Sequence, residues 1–201
     1  MSRKESPPLI RPRRLRPGDT IGLFNPSGAL YQSEPYALAH EALQALGFRV
    51  KEAPNLRARY GHMAGTAQQR AADIHALIED PAVAGLLAVT GGSGANRVLP
   101  HLDFDLLRRR PKFIGGFSDL TALINAAQLH AGLVTFHSPL GRSEWNAFSV
   151  AQFRAVVMDG LAHTLRNQQV SSDDLVARDG RIQTLRGGKA TGVLVGGNLA
   201  V

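Results

Sequence analysis

Residues 112–119 read Lys-Phe-Ile-Gly-Gly-Phe-Ser-Asp, a short apolar run broken by two glycines and followed by a serine and an acid. A strand that enters a tight turn and then a helix would hold the Ser118 hydroxyl on a bend above a sheet, where it can serve as a nucleophile. The backbone N–H of Asp119 would open the helix and face a developing negative oxygen, a charge that the helix dipole favours. The segment is not G-x-S-x-G, because Leu120 stands at the last glycine position. Spacing alone leaves a second reading open, in which Ser118 is the helix N-cap and accepts from the N–H of Thr121.

Two other segments have the same character, Asn25-Pro26-Ser27-Gly28 and Thr90-Gly91-Gly92-Ser93-Gly94. Open α/β sheets bind ligands beyond the carboxyl ends of their strands, and all three segments fall there. The second glycine loop would cradle a phosphate, lend one N–H to an oxyanion hole, or serve only as a tight strand-to-helix turn. It is not a dinucleotide fingerprint, since Arg97 stands where a third glycine belongs, and it lacks the Gly-Lys-Ser/Thr ending of a P-loop. His137 ends an apolar run and would face the same crevice as Ser118 or be structural, while Glu144 and Trp145 follow it in a loop that would form a rim. The candidate substrate contacts are therefore Ser27, Gly91, Ser93, His137, Glu144 and Trp145. The seven histidines show no H-x-x-x-H spacing and there is no cysteine, so neither a metal site nor a thiol nucleophile nor a disulfide is expected. No cofactor is expected.

The elements that must position these residues alternate along the chain. Apolar runs at 20–25, 48–53, 85–90, 112–114 and 134–136 read as strands. Between them lie helical segments. Ser33 and Pro35 open the first, which Gly47 stops. Thr66 and Gln69 have capping-box spacing at the start of the second, which Pro81 ends. A third runs from Asp119 to about 131, and a fourth spans 149–159. The alternation predicts an α/β domain, a mostly parallel sheet flanked by helices, over residues 15–162. From 163 to 201 the texture becomes hairpin-like, with runs at 165–170 and 191–195 and a turn at 178–181. This reads as a linker and the start of a β-rich C-terminal domain that is cut short.

The chain has 201 residues, 44% hydrophobic and 19% charged, enough to bury a core. Its net charge of +7 is uneven. Arg3, Lys4, Arg11, Arg13, Arg14 and Arg16 against Glu5 give the first sixteen residues +5. Residues 1–14 are accordingly expected to be a basic flexible tail on a nearly neutral body, which argues against a nucleic-acid partner. No apolar run approaches the roughly 18 residues of a membrane span. The Arg13-Arg14 pair is not followed by an apolar segment, so no signal peptide is read and the expected address is cytoplasmic.

Read as a string, the residues resemble one family. Leu15-Arg16-Pro17-Gly18-Asp19-Thr20-Ile21 with Asn25-Pro26-Ser27 is similar to the opening of the LD-carboxypeptidases, the serine peptidases that include the microcin C immunity proteins. Gly61-His62, Arg70-Ala71-Ala72-Asp73-Ile74-His75 and Gly91 through Pro100 match in order. So do Pro111 through Leu123, Thr135 through Leu140, and Gly192 through Leu199. The resemblance implies removal of the terminal D-alanine from a murein tetrapeptide in cell-wall recycling, by cleavage of an L-to-D peptide bond. It places Ser118 as nucleophile and the N–H groups of Asp119 and Gly92 as oxyanion hole. The partner it implies is a murein peptide.

Three departures from the family pattern stand out. Thr90 stands where arginine is common, and Ser138 where glycine is common. The family's histidine base and its orienting glutamate follow the Gly-Gly-Asn-Leu segment, where this chain ends, so the expectation is a chain cut short of its base; substitution by His137 or His163 with Glu144 is the disfavoured alternative. The exposed remainder would favour self-association, so a homodimer is among the expected partners. Two other functions stay open. One is an immunity-type hydrolase of aminoacyl-nucleotide analogues, for which Trp145 is the one tryptophan able to stack on a base. The other is a non-catalytic binding module that uses the glycine loop.

Overall fold

The computed structural model describes residues 7–162, 164, 175–176, 183–192 and 196–198. Five strands, β1 (Thr20–Phe24), β2 (Arg49–Glu52), β3 (Val83–Ala88), β4 (Phe113–Gly116) and β5 (Phe136–His137), form one parallel sheet in the order β2-β1-β3-β4-β5. Five α-helices accompany them: α1 (Glu34–Ala45), α2 (Ala67–Glu79), α3 (Phe104–Arg109), α4 (Thr121–Ala126) and α5 (Ala147–Phe153). The predicted α/β class is what the chain adopts. Every residue of β3 and β4 is buried, as strands covered on both faces require.

Local sequence explains most boundaries. Thr66 and Gln69 complete the expected capping box, with Gln69 N–H donating to Thr66 Oγ1 and Thr66 N–H to Gln69 Oε1. Pro35 lies in the first turn of α1, which Gly47 closes at φ +93°. Two boundaries move. β3 begins two residues before its expected start, and α5 starts at Ala147 because Asn146 supplies the cap, accepting from the N–H of Ser149. The helix expected over 119–131 is continuous but changes register: a 3-10 turn (Ser118–Leu120), then α4, then a π-turn (Ala127–Ala131). An aromatic cluster centres on Phe153, whose ring meets Phe113, Phe48 and Trp145 edge-on.

The basic leader corrects an expectation. From residue 7 it lies along the body instead of trailing as a flexible tail. Ile10 N–H donates to Gly132 O and Ile10 O accepts from Val134 N–H, a parallel bridge beside Leu133. Residues 133–134 pair with Ile10, and β5 comprises Phe136 and His137. Arg13 forks onto Asp19, and Leu15, 1% exposed, donates to Val157 O. Arg11, Arg13, Arg14 and Arg16 thereby line a hollow of about 740 Å³ beside Phe113 and Val134.

The hairpin segments expected at 165–170 and 178–181, and most of that at 191–195, lie outside the described residues, as does His163. Among the described residues, no helix is long and apolar enough to cross a membrane.

Candidate active site

The strand order reverses at β1, because β2 lies on one side of it and β3 on the other. Such a reversal opens a crevice beyond the carboxyl ends of the strands. Three loops meet there: residues 25–28 after β1, 90–94 after β3, and 117–118 after β4.

Ser118 sits at φ +63°. Left-handed backbone is uncommon for a residue with a side chain, and it costs stability unless its surroundings enforce it. Here β4 runs straight into the turn, and Thr121 Oγ1 holds the Ser118 carbonyl at 2.6 Å. The N-cap alternative is not realised: the Thr121 N–H is bonded to the carbonyls of Ser118 and Asp119, and the Ser118 hydroxyl is left to point elsewhere. Its partner is Asn198 Nδ2, which donates to Ser118 Oγ at 3.3 Å. Asn198 belongs to the Gly-Gly-Asn segment quoted above but was not among the candidate residues, because a lone asparagine after two glycines reads equally well as a turn.

The glycine loop lies directly on this serine. A Cβ on Gly91 would lie 3.0 Å from both Cβ and Oγ of Ser118. Gly92 takes φ +133°, and a Cβ there would come 2.9 Å from Gly28 N, so this position needs glycine, while a side chain at Gly91 would press on Ser118. Gly92 and Ser93 are exposed, while the chain beyond them enters a short 3-10 helix (Ala95–His101). The glycine loop at Gly91 and Gly92 therefore lies beside Ser118 and Asp119.

The Asp119 side chain is 0% exposed. Its Oδ2 accepts from Ser27 Oγ at 2.5 Å and from Ala95 N–H at 2.8 Å. Ser27 is thus corrected from a substrate contact to a wall of the site, fully buried with its hydroxyl committed to Asp119. Behind it Arg70, also buried, donates from Nη1 to the carbonyls of Pro26 and Gly94. Burial lowers the Arg70 pKa from its ordinary value, against the opposing pull of Asp119. At the end of β3, Arg142 Nε donates to Thr90 Oγ1 at 3.0 Å, so a guanidinium reaches Thr90 from the loop after β5.

The remaining candidates are less central. His137 is exposed, with its ring 6.0 Å from that of Phe117, the residue before the serine. Among the described residues no histidine bonds to Ser118 Oγ. Glu144 is exposed. Trp145 departs from a free stacking face: its N–H donates to the carbonyls of Leu140 and Gly141, and its ring packs edge-on against Phe153 at 5.1 Å. No group of three or more His, Cys, Asp or Glu side chains among the described residues is arranged to hold a metal.

Comparison with known proteins agrees with this geometry. The family model described as the LD-carboxypeptidase N-terminal domain matches residues 21–138. A probable murein peptide carboxypeptidase of Bacillus subtilis is 32% identical over 198 residues, covering 95% of this chain and 58% of its own. The murein tetrapeptide carboxypeptidase of Pseudomonas aeruginosa is 32% identical over 72% of this chain and 47% of its own. Among solved structures, MccF in complex with glutamyl sulfamoyl guanosine superposes with a TM-score of 0.71 at 27% identity, over 80% of this chain and 51% of that one. This chain spans about half the length of these relatives. With the family model matching residues 21–138, more than half of its length, the chain belongs to the LD-carboxypeptidase family.

Proposed function

We propose that the protein is a serine carboxypeptidase that releases the terminal D-alanine of a murein tetrapeptide. The observation that carries this reading is Ser118 held at φ +63° at the end of β4, half-exposed, against the Gly91–Gly92 backbone. In the proposed reaction Ser118 Oγ attacks the carbonyl of the L-to-D bond and its proton passes to a base. The oxyanion faces the N–H groups of Asp119 and Gly92. The C–N bond then breaks, the base returns the proton to the D-alanine amine, and water hydrolyses the acyl-enzyme. Removing one oxyanion donor from such a site costs roughly 10²–10³ in rate. The reading takes its base from outside the described residues, from the histidine and orienting glutamate that the family resemblance assigns to a C-terminal domain.

The test is D-alanine release from murein tetrapeptide by the protein and by Ser118→Ala. With the C-terminal domain that supplies the base present, the wild type should release D-alanine, and the variant should lose that activity while keeping its melting temperature. Turnover that survives in Ser118→Ala rejects the nucleophile. The likeness to MccF bound to a sulfamoyl nucleoside supports a second reading, hydrolysis of aminoacyl-nucleotide analogues. Turnover of a glutamyl sulfamoyl nucleoside in place of the tetrapeptide would select it. The packed indole of Trp145 weighs against that residue as its base-stacking platform.

A further inference from the structure

The proposed chemistry uses the backbone of Asp119 and leaves its side chain without a task. That side chain is a fully buried carboxylate directly after the nucleophile, and its Oδ1 has no hydrogen-bond partner among the described residues. Burying a charge is unfavourable unless its bonds repay the loss of water. The Oδ2 bonds show what it secures. Ser27 lies in the loop after β1 and Ala95 in the loop after β3, so one oxygen grips both loops from the turn after β4.

Gly92 sits between these two holds. On one side, the Ser27 bond fixes the loop whose Gly28 backbone lies against Gly92, at the spacing where a Cβ on Gly92 would meet Gly28 N at 2.9 Å. On the other, the Ala95 bond draws the end of the glycine loop onto the turn that carries Ser118. Arg70 ties the same two loops from behind through Pro26 O and Gly94 O, and its charge is electrostatically felt by Asp119. A negative charge behind an oxyanion hole would oppose the oxyanion, and a buried guanidinium nearby offsets it.

Building on the reading of Ser118 as nucleophile, we propose that the Asp119 carboxylate is a positioning residue that, through Ser27 and Ala95, fixes the distance between the two oxyanion-hole N–H groups, its own and that of Gly92. The two donors come from different strands, and no backbone hydrogen bond between their loops would set that distance by itself. A hole of the wrong width binds the ground-state carbonyl about as well but loses the tetrahedral oxyanion. The loss therefore falls on kcat and leaves KM almost unchanged.

The test compares Asp119→Ala, Asp119→Asn and Ser27→Ala with the wild type. Asparagine keeps an oxygen that can accept from both Ser27 and Ala95, whereas alanine removes the grip. The expected kcat for D-alanine release falls about 100-fold in Asp119→Ala, the scale of a lost oxyanion donor. It falls much less in Asp119→Asn and to an intermediate degree in Ser27→Ala, with KM within about twofold throughout. Affinity for phenylboronic acid, whose serine adduct mimics the tetrahedral oxyanion, should fall in the same order. Amide hydrogen exchange at Ala95 supplies a readout that needs no turnover, and it should quicken in Asp119→Ala.

Unchanged exchange at Ala95 in Asp119→Ala overturns the grip. Equal falls in kcat for the alanine and asparagine variants, or a fall carried by KM, overturn its positioning role. A wild type that carries the C-terminal base and neither turns over nor binds the boronate refutes Ser118 as the nucleophile, and with it the role of the grip in catalysis. Exchange at Ala95 then still decides whether the grip exists.

Discussion

At the scale of single residues, Ser118 is the point where backbone stability and the proposed chemistry oppose each other. Its left-handed backbone suits glycine, and a Cβ there is unfavourable by roughly 1 kcal/mol. Two variants that both lack the hydroxyl isolate this term. Ser118→Gly is expected to be more stable than Ser118→Ala by about 1 kcal/mol in denaturant unfolding, the reverse of the usual order for these two residues. An alanine variant as stable as the glycine one would mean that the bend is not left-handed. The sequence showed this serine because a strand, two glycines and a helix start are local features. The Ser27–Asp119 contact joins residues too far apart in sequence for any spacing rule, so Ser27 read as a ligand contact when it is a buried support.

At the scale of elements, strands and helices were legible wherever periodicity and caps agreed, as at the Thr66–Gln69 box and the wholly buried β3. Their edges were not. β5 is Phe136–His137 where 134–136 was expected, and the residues before it pair with the leader, a backbone contact that leaves no mark in side-chain pattern. One junction is pH-sensitive. Lys112, just before β4, donates to the carbonyls of Leu77 and Asp80 at the end of α2. Burial lowers its pKa from 10.5 to about 8, with Asp80 pulling the other way. The folded state therefore holds fewer protons than the unfolded chain between those values, and stability rises with pH across that window. Thermal unfolding of the wild type should gain on Lys112→Met between pH 8 and 10.5, and a constant difference would refute the shift.

At the scale of the whole molecule, the arginine-rich leader is part of the domain. Its composition reads as solvated, yet Ile10 bridges the segment at Leu133 and Arg13 forks onto Asp19. Deleting residues 1–14 removes the two Ile10 backbone bonds and the Arg13–Asp19 pair. The expected loss is on the order of 2 kcal/mol, from net hydrogen-bond contributions of about 1 kcal/mol each. A free tail would cost nothing measurable, and unfolding of the truncated chain decides between the two. The charge it carries gathers beside the start of β4, while the candidate site lies beyond the end of that strand.

The docked leader also bears on the order of events during synthesis. Ile10 and Leu15 find their partners at Gly132, Val134 and Val157, which are made much later. Until they emerge, Leu15 has no Val157 to receive its N–H, and the early strands wait with their apolar faces open. Closing so long a loop is slow, because its entropy must be overcome before the contact rewards it. Docking of this segment is therefore a late step, completed only after translation has passed Val157.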